Sequence, residues 1–124
     1  MDSSNCDALA NVEKALIEMA VESWRFSRAY VRLLGKLDAG ESARFFNQYR
    51  YFTKRVEESL AAANLKLANV EGHPYDPGIA ASAINLGDFG PDDVLMVDQM
   101  VEPIIMGPNG LVRSGTVTLR KAEL

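Results

Sequence analysis

Apolar residues recur in alternating steps of three and four along the first part of the chain. Leu9, Val12, Leu16, Met19, Ser23, Phe26, Tyr30, Leu33 and Leu37 follow this rhythm, and eight of the nine are apolar. Such a stripe is the a/d pattern of a bundle or coiled-coil helix. It predicts a helix from about Asp7 to Leu37, on the order of 45 Å long at 1.5 Å per residue. The other faces carry charge, among them Glu13, Lys14, Glu18, Glu22, Arg25, Arg28, Arg32 and Lys36. At Asp38-Ala39-Gly40-Glu41 an acid precedes a Glu by three residues, the logic of a capping box that opens a new helix. A second stripe then runs through Phe45, Tyr49, Phe52, Val56, Leu60 and Ala63. This helix is expected to end between Ala63 and Leu67. So short a connection predicts an antiparallel helical hairpin.

Two helices bury one stripe each, yet Trp24, Phe46 and Tyr51 lie off the main stripes. Surplus apolar surface of this kind asks for a second copy of the chain. A homodimer with a four-helix core is expected, with Leu16, Met19, Phe26, Tyr30, Phe45, Tyr49 and Phe52 as its contact residues. The alternative is a monomer in which the second half of the chain covers the extra face.

After Asn69 the pattern changes. All five prolines and seven of the nine glycines follow residue 70, and the apolar runs shorten to Ile84–Leu86, Val94–Val97, Ile104–Met106 and Val117–Leu119. Short runs between turn residues predict strands of a small sheet or barrel. Asn109-Gly110 is read as the centre of a type I′ hairpin turn, where both central residues need positive φ. The expected class is therefore α+β: a helical dimerisation hairpin over residues 1–67, then a small all-β domain over residues 68–124.

Charge divides the same way. Residues 1–63 hold nine Lys and Arg against nine Asp and Glu, whereas residues 64–124 hold four against eight and so carry the whole net charge of −4. An acidic chain argues against a nucleic-acid partner, which needs a basic stripe to displace counterions. The acidic second half is suited to a basic partner surface. No apolar run approaches the roughly 20 residues of a membrane span. The opening Met1-Asp2-Ser3-Ser4-Asn5 has neither the positive nor the apolar region of a secretory leader. The single cysteine, Cys6, cannot form an intramolecular disulfide, which fits a cytoplasmic location. His73 has no second histidine or cysteine nearby, so no metal site is expected. Asp92, Asp93 and Asp98 form a possible carboxylate cluster, better explained as turn solvation. Nothing supplies a nucleophile, a base and its orienter together, so neither an enzyme nor a cofactor is expected.

The stretch Gly72-His73-Pro74-Tyr75-Asp76-Pro77 resembles the Gly-x-Pro-Phe-Asp-Pro segment that opens the β domain of the GrpE family, with Tyr75 in place of Phe. A structural role accounts for these residues too: Asp76 can cap the turn that Pro77 starts, and Tyr75 can plug the helix–sheet junction. Leu111-Val112-Arg113-Ser114-Gly115-Thr116-Val117-Thr118-Leu119 is similar to the family's closing Val-Leu-Arg-Pro-Ala-x-Val-x-Val, with Ser114 and Gly115 replacing Pro and Ala. The resemblance spans about residues 40–120.

What the resemblance implies is a homodimeric co-chaperone that exchanges adenine nucleotide on a DnaK-type chaperone ATPase and so assists protein folding. Its β domain would engage the nucleotide-binding domain, with Met106, Asn109, Gly110, Arg113 and Asp98 as candidate contacts. Gly72, Pro74, Tyr75, Asp76 and Pro77 would be the structural motif. The chain also departs from the family. Gly78-Ile79-Ala80-Ala81-Ser82-Ala83 lacks the His and Glu usual after Asp-Pro, and Glu102-Pro103-Ile104 stands where the family has Gly-Tyr. The tip near Gly110 has no basic residue, and the stalk is short. An adaptor that keeps the fold and exchanges nothing is the alternative.

Overall fold

Both predicted helices form, and their ends are set by the local chemistry. In a computed structural model of the protein the structure describes residues 3–122. Met1 and Asp2, part of the opening read above for a leader, lie outside the described residues. Helix α1 runs over Ser3–Leu34 and α2 over Ala39–Ala62. The first helix starts before the expected Asp7 and stops three residues short of Leu37, because backbone turns from Gly35, Lys36 and Leu37 close it off. Asp38 then caps α2, its carboxylate accepting from the Glu41 N–H at 2.9 Å. At the other end Asn64 adopts φ 60°. Its N–H donates to the Ala61 carbonyl, and the Leu65 N–H donates to the Leu60 carbonyl. This is a Schellman ending with Asn in the left-handed position and the apolar pair Leu60 and Leu65 buried beside it. Replacing Asp38 by Ala leaves the Glu41 N–H without its acceptor and is expected to cost about 1 kcal/mol in urea unfolding.

The chain divides into two compact units, Met1–Leu65 and Lys66–Leu124, two residues ahead of the boundary read from sequence. In the second unit, strands β3 (Leu95–Glu102) and β4 (Ile104–Gly107) are separated only by buried Pro103. Strands β5 (Gly110–Arg113) and β6 (Gly115–Lys121) are separated only by Ser114. The four form one long hairpin that changes sheet at this corner: β4 pairs with β5 in one sheet and β3 with β6 in the other. Strand β1 (Lys66–Ala68) joins β4 antiparallel, giving the order β1-β4-β5, and β2 (Ala81–Ala83) joins β6 in parallel, giving β2-β6-β3. The outcome is two helices followed by two small sheets, an α+β protein.

Three local expectations are corrected. Ile84–Leu86 is not a strand: the strand there is Ala81–Ala83, and Leu86–Asp88 forms a 3₁₀ turn. Alternating Ala and Ser carries little apolar signal, so this strand is set by pairing with β6. The turn between β4 and β5 has Pro108 and Asn109 at its centre, because Gly107 pairs with Gly110. Gly110 alone in this turn has a positive φ, of 113°. A proline ring holds φ near −65°, which excludes the type I′ geometry expected from Asn109-Gly110.

The third correction concerns the helical stripe. Facing α2, the buried residues of α1 are Ala20, Val21, Ser27 and Leu34, with Trp24 half-buried among them. The main stripe splits. Its Leu16, Ser23, Tyr30 and Leu37 positions are half-covered, whereas Met19 is 69% and Phe26 68% exposed. The face carrying Trp24, read as surplus, is the more buried one, and the Met19, Phe26 and Leu33 row of the main stripe is the surplus. Two of the four buried residues, Ala20 and Ser27, are small, and periodicity weighted toward large side chains does not register them.

Candidate functional site

The first candidate surface lies on one face of the hairpin. Two depressions run between the helices. One, of about 240 Å³, is lined by Phe26, Ser27, Tyr30, Gln48, Tyr49 and Phe52. The other, of about 410 Å³, is lined by Leu16, Met19, Ala20, Ser23, Phe52, Arg55, Val56, Ser59 and Leu60. Six of the seven residues expected at a dimer contact (Leu16, Met19, Phe26, Tyr30, Tyr49 and Phe52) thus share this face. Phe45 is half-buried and lines neither depression. The Phe26 and Tyr30 rings stack with centroids 6.3 Å apart, and Phe46 meets Tyr49 edge-on at 6.5 Å. These contacts hold the rings in fixed positions along the groove.

In the β unit the motif Gly72-His73-Pro74-Tyr75 lies along β3. The Gly72 N–H donates to the Val97 carbonyl, the Val97 N–H to the His73 carbonyl, and the Tyr75 N–H to the Leu95 carbonyl. The segment therefore covers the outer edge of β3, which would otherwise be open to pairing. Gly72 has φ 80°, a conformation other residues rarely adopt, so glycine is required there. Asp76 accepts from the Gly78 N–H at 2.7 Å across Pro77, which is the turn-capping role read from sequence. Tyr75 is half-buried. Two polar side chains that sequence reasoning missed complete this region. Glu71 accepts from the Met100 N–H at 3.1 Å. Asn85 extends the sheet past the end of β2, accepting from the Leu119 N–H and donating to the Leu119 carbonyl. Both serve backbone groups on a neighbouring segment, a long-range relation with no local sequence signal.

The candidate partner residues do not form one cluster. Asn109 and Gly110 sit at the β4–β5 turn, with Met106 half-buried beside them, paired to Leu111. Arg113 lies at the other end of β5 and donates to Glu102 at 2.9 Å. Because Glu102 is on β3, this partly buried ion pair bridges the two sheets at the corner. Asp98 is in the other sheet. It is the extra residue of a bulge, since Val97 pairs with Leu119 and Gln99 with Thr118. The bulge lets Val97 and Met100 both point inward while Asp98 faces solvent, 3.7 Å from Arg120. Asp98 and Gly107 are nine positions apart, a path along the chain of roughly 30 Å that bends at Pro103.

Among the described residues no group of three or more His, Cys, Asp or Glu is placed to hold a metal ion. Asp93 accepts from the Gly90 N–H at 2.7 Å and lies 3.8 Å from Lys121, which is turn and strand-end work. No helix among the described residues is long and apolar enough to cross a membrane. The architecture defines an α+β protein with a helical hairpin and a two-sheet β unit. Comparison with family models, with characterised proteins and with solved structures finds no match in any of the three.

Proposed function

We propose that the chain is a homodimeric, GrpE-like exchange factor acting on the nucleotide-binding domain of a DnaK-type chaperone ATPase. The observation that carries this reading is the pair of apolar depressions on one face of the hairpin, in a chain whose second unit carries the Gly72–Tyr75 segment as an ordered edge of β3. The groove is the surface for a second copy, so that two hairpins make a four-helix core. The β unit is the contact with the ATPase, led by the turn at Pro108 and Asn109. Exchange of this kind needs no covalent chemistry. The factor binds the open, nucleotide-free ATPase better than the closed one and shifts the population toward it. By reciprocity it weakens nucleotide binding by the same coupling, typically about 1–3 kcal/mol.

The test is the rate at which labelled ADP leaves a DnaK-type ATPase from the same cell. A rise of about tenfold or more is expected at saturating factor. Asn109→Arg is expected to alter that rate without changing the melting temperature, since Asn109 is exposed. Binding with an unchanged ADP off-rate would instead favour the adaptor reading. That reading draws on two observations: Ala81, Ser82 and Ala83 are spent on pairing with β6, and Arg113 is held by Glu102. A protein with no affinity for any such ATPase would dispose of both versions.

A further inference from the structure

The acidic total charge of the chain conceals a strong local excess of the opposite sign. From Trp24 to Arg55, the half of the hairpin nearest its turn, there are eight Lys and Arg against two Asp and Glu, a net of +6. Residues 3–23 hold one Lys against four acids, and residues 56–65 hold two acids alone, so the other half is negative. Eight of the ten aromatic residues also fall between Trp24 and Phe52.

Six of these eight cations share one side of the hairpin; Arg55 lines the second depression and Arg44 lies nearer that side. Arg25, Arg28, Arg32 and Lys36 fall within about 80° of one another at 100° per residue. On α2, Arg50 and Lys54 are one turn apart. On each helix this cationic stripe lies roughly 150–170° round from the residues lining the apolar depressions. Both stripes therefore share the face opposite the groove. Arg32, Lys36, Arg50 and Lys54 are exposed. The Arg28 guanidinium lies 4.5 Å above the half-buried Trp24 ring, which fixes its position on that face. Arg25 meets Glu22 at 3.4 Å, and off this face Arg55 meets Glu58 at 3.3 Å; both are exposed pairs, and such pairs are weak.

We infer that this cationic face is a second interaction surface, and that it takes an acidic segment of a partner protein. The stripe is finite. From Arg25 to Lys36 it runs about 16 Å, and carboxylates follow at its end, Glu22 and Glu18 on α1 and Glu57 and Glu58 on α2, with Lys14 the one cation beyond them on the α1 row. A nucleic-acid strand following the stripe runs onto those carboxylates. A short acidic segment of about three helical turns stops before them. The exposed large apolar residues of α1 (Met19, Phe26 and Leu33) belong to the groove side or its rim; beside the cationic stripe of α2 stands Tyr51, whose ring carries a hydroxyl, and on α1 the Arg28 guanidinium covers the half-buried Trp24 ring. Charge complementarity over a bounded patch therefore favours a peptide. The surface is independent of the dimer proposed above, because it uses the opposite face.

The test uses the full chain and a fluorescein-labelled peptide of about ten glutamates, followed by anisotropy. Binding is expected at low salt, weakening about tenfold or more between about 50 and about 200 mM NaCl as the Debye length shortens. Arg32→Glu with Arg50→Glu should reduce affinity at least about tenfold while light scattering and circular dichroism stay unchanged. If that pair disturbs the fold, Lys36→Ala with Lys54→Ala gives the same reading at smaller amplitude. No binding at low salt, or binding untouched by these variants, overturns the inference. So does tighter binding to a thymidine oligonucleotide or to phosphatidylserine vesicles than to the acidic peptide.

Discussion

Phe26→Lys is expected to abolish the proposed dimerisation at micromolar concentration while leaving each hairpin folded. The argument rests on where the ring sits. Phe26 is 68% exposed within one chain, so its replacement removes little from that chain's own core. It also stands seven residues after Met19 and seven before Leu33, on the row most open to solvent, and it borders a depression of about 240 Å³. In a four-helix core that position lies at the centre of the contact, where a buried aromatic residue typically accounts for about 2 kcal/mol or more. A lysine there removes the ring and forces a charge into an apolar seam beside a second, symmetry-related lysine. The dissociation constant should rise by about two orders of magnitude or more. Light scattering across a dilution series checks this. The wild-type melting temperature should depend on concentration and that of the variant should not. A wild-type chain that is monomeric throughout would remove the four-helix reading.

Gly115→Ala should destabilise the β unit by about 2–3 kcal/mol, at the upper end of what one added methyl costs by overpacking. Gly115 is buried at the corner where the long hairpin passes from one sheet to the other. A Cβ placed on it would lie 2.8 Å from the Glu102 carbonyl oxygen, 2.9 Å from Ile104 Cγ1 and 3.2 Å from the Ile104 N–H nitrogen. The isoleucine side chain can move aside, but the backbone on either side of Pro103 cannot do so without disturbing both sheets. The shift also acts on Glu102, and through it on the ion pair with Arg113. Urea unfolding followed by β-sheet circular dichroism should show the midpoint falling with little change in slope. An unchanged midpoint would mean the corner is looser than these distances require. Thr116→Ala, one residue on and half-buried, is expected to cost less and serves as the control.

The candidate sites were legible in unequal measure. The residues expected at a dimer contact were picked out by period, and six of the seven share one face. The tip residues were found because Pro, Asn and Gly punctuate a turn, although Pro108 then set a different turn from the one expected. Asp98 and Arg113 were grouped with the tip by resemblance, and the strands separate them from it. Glu71 and Asn85 were not legible, since each binds a backbone group about thirty residues away.

By itself the sequence determined the division into a helical and a β part, the cap at Asp38, and the rows of apolar residues that belong together. These follow from period and from short-range hydrogen bonding, which act over one or two turns of chain. Only the tertiary structure decided which apolar row faces α2. The residues it buries are Ala20, Val21, Ser27 and Leu34, and burial of such small side chains depends on what lies against them. It also decided that β3 and β4 are one strand bent at Pro103, and that a chain acidic in total carries a cationic face. Each is a relation between segments distant in sequence, set by packing and by the side on which the second helix lies.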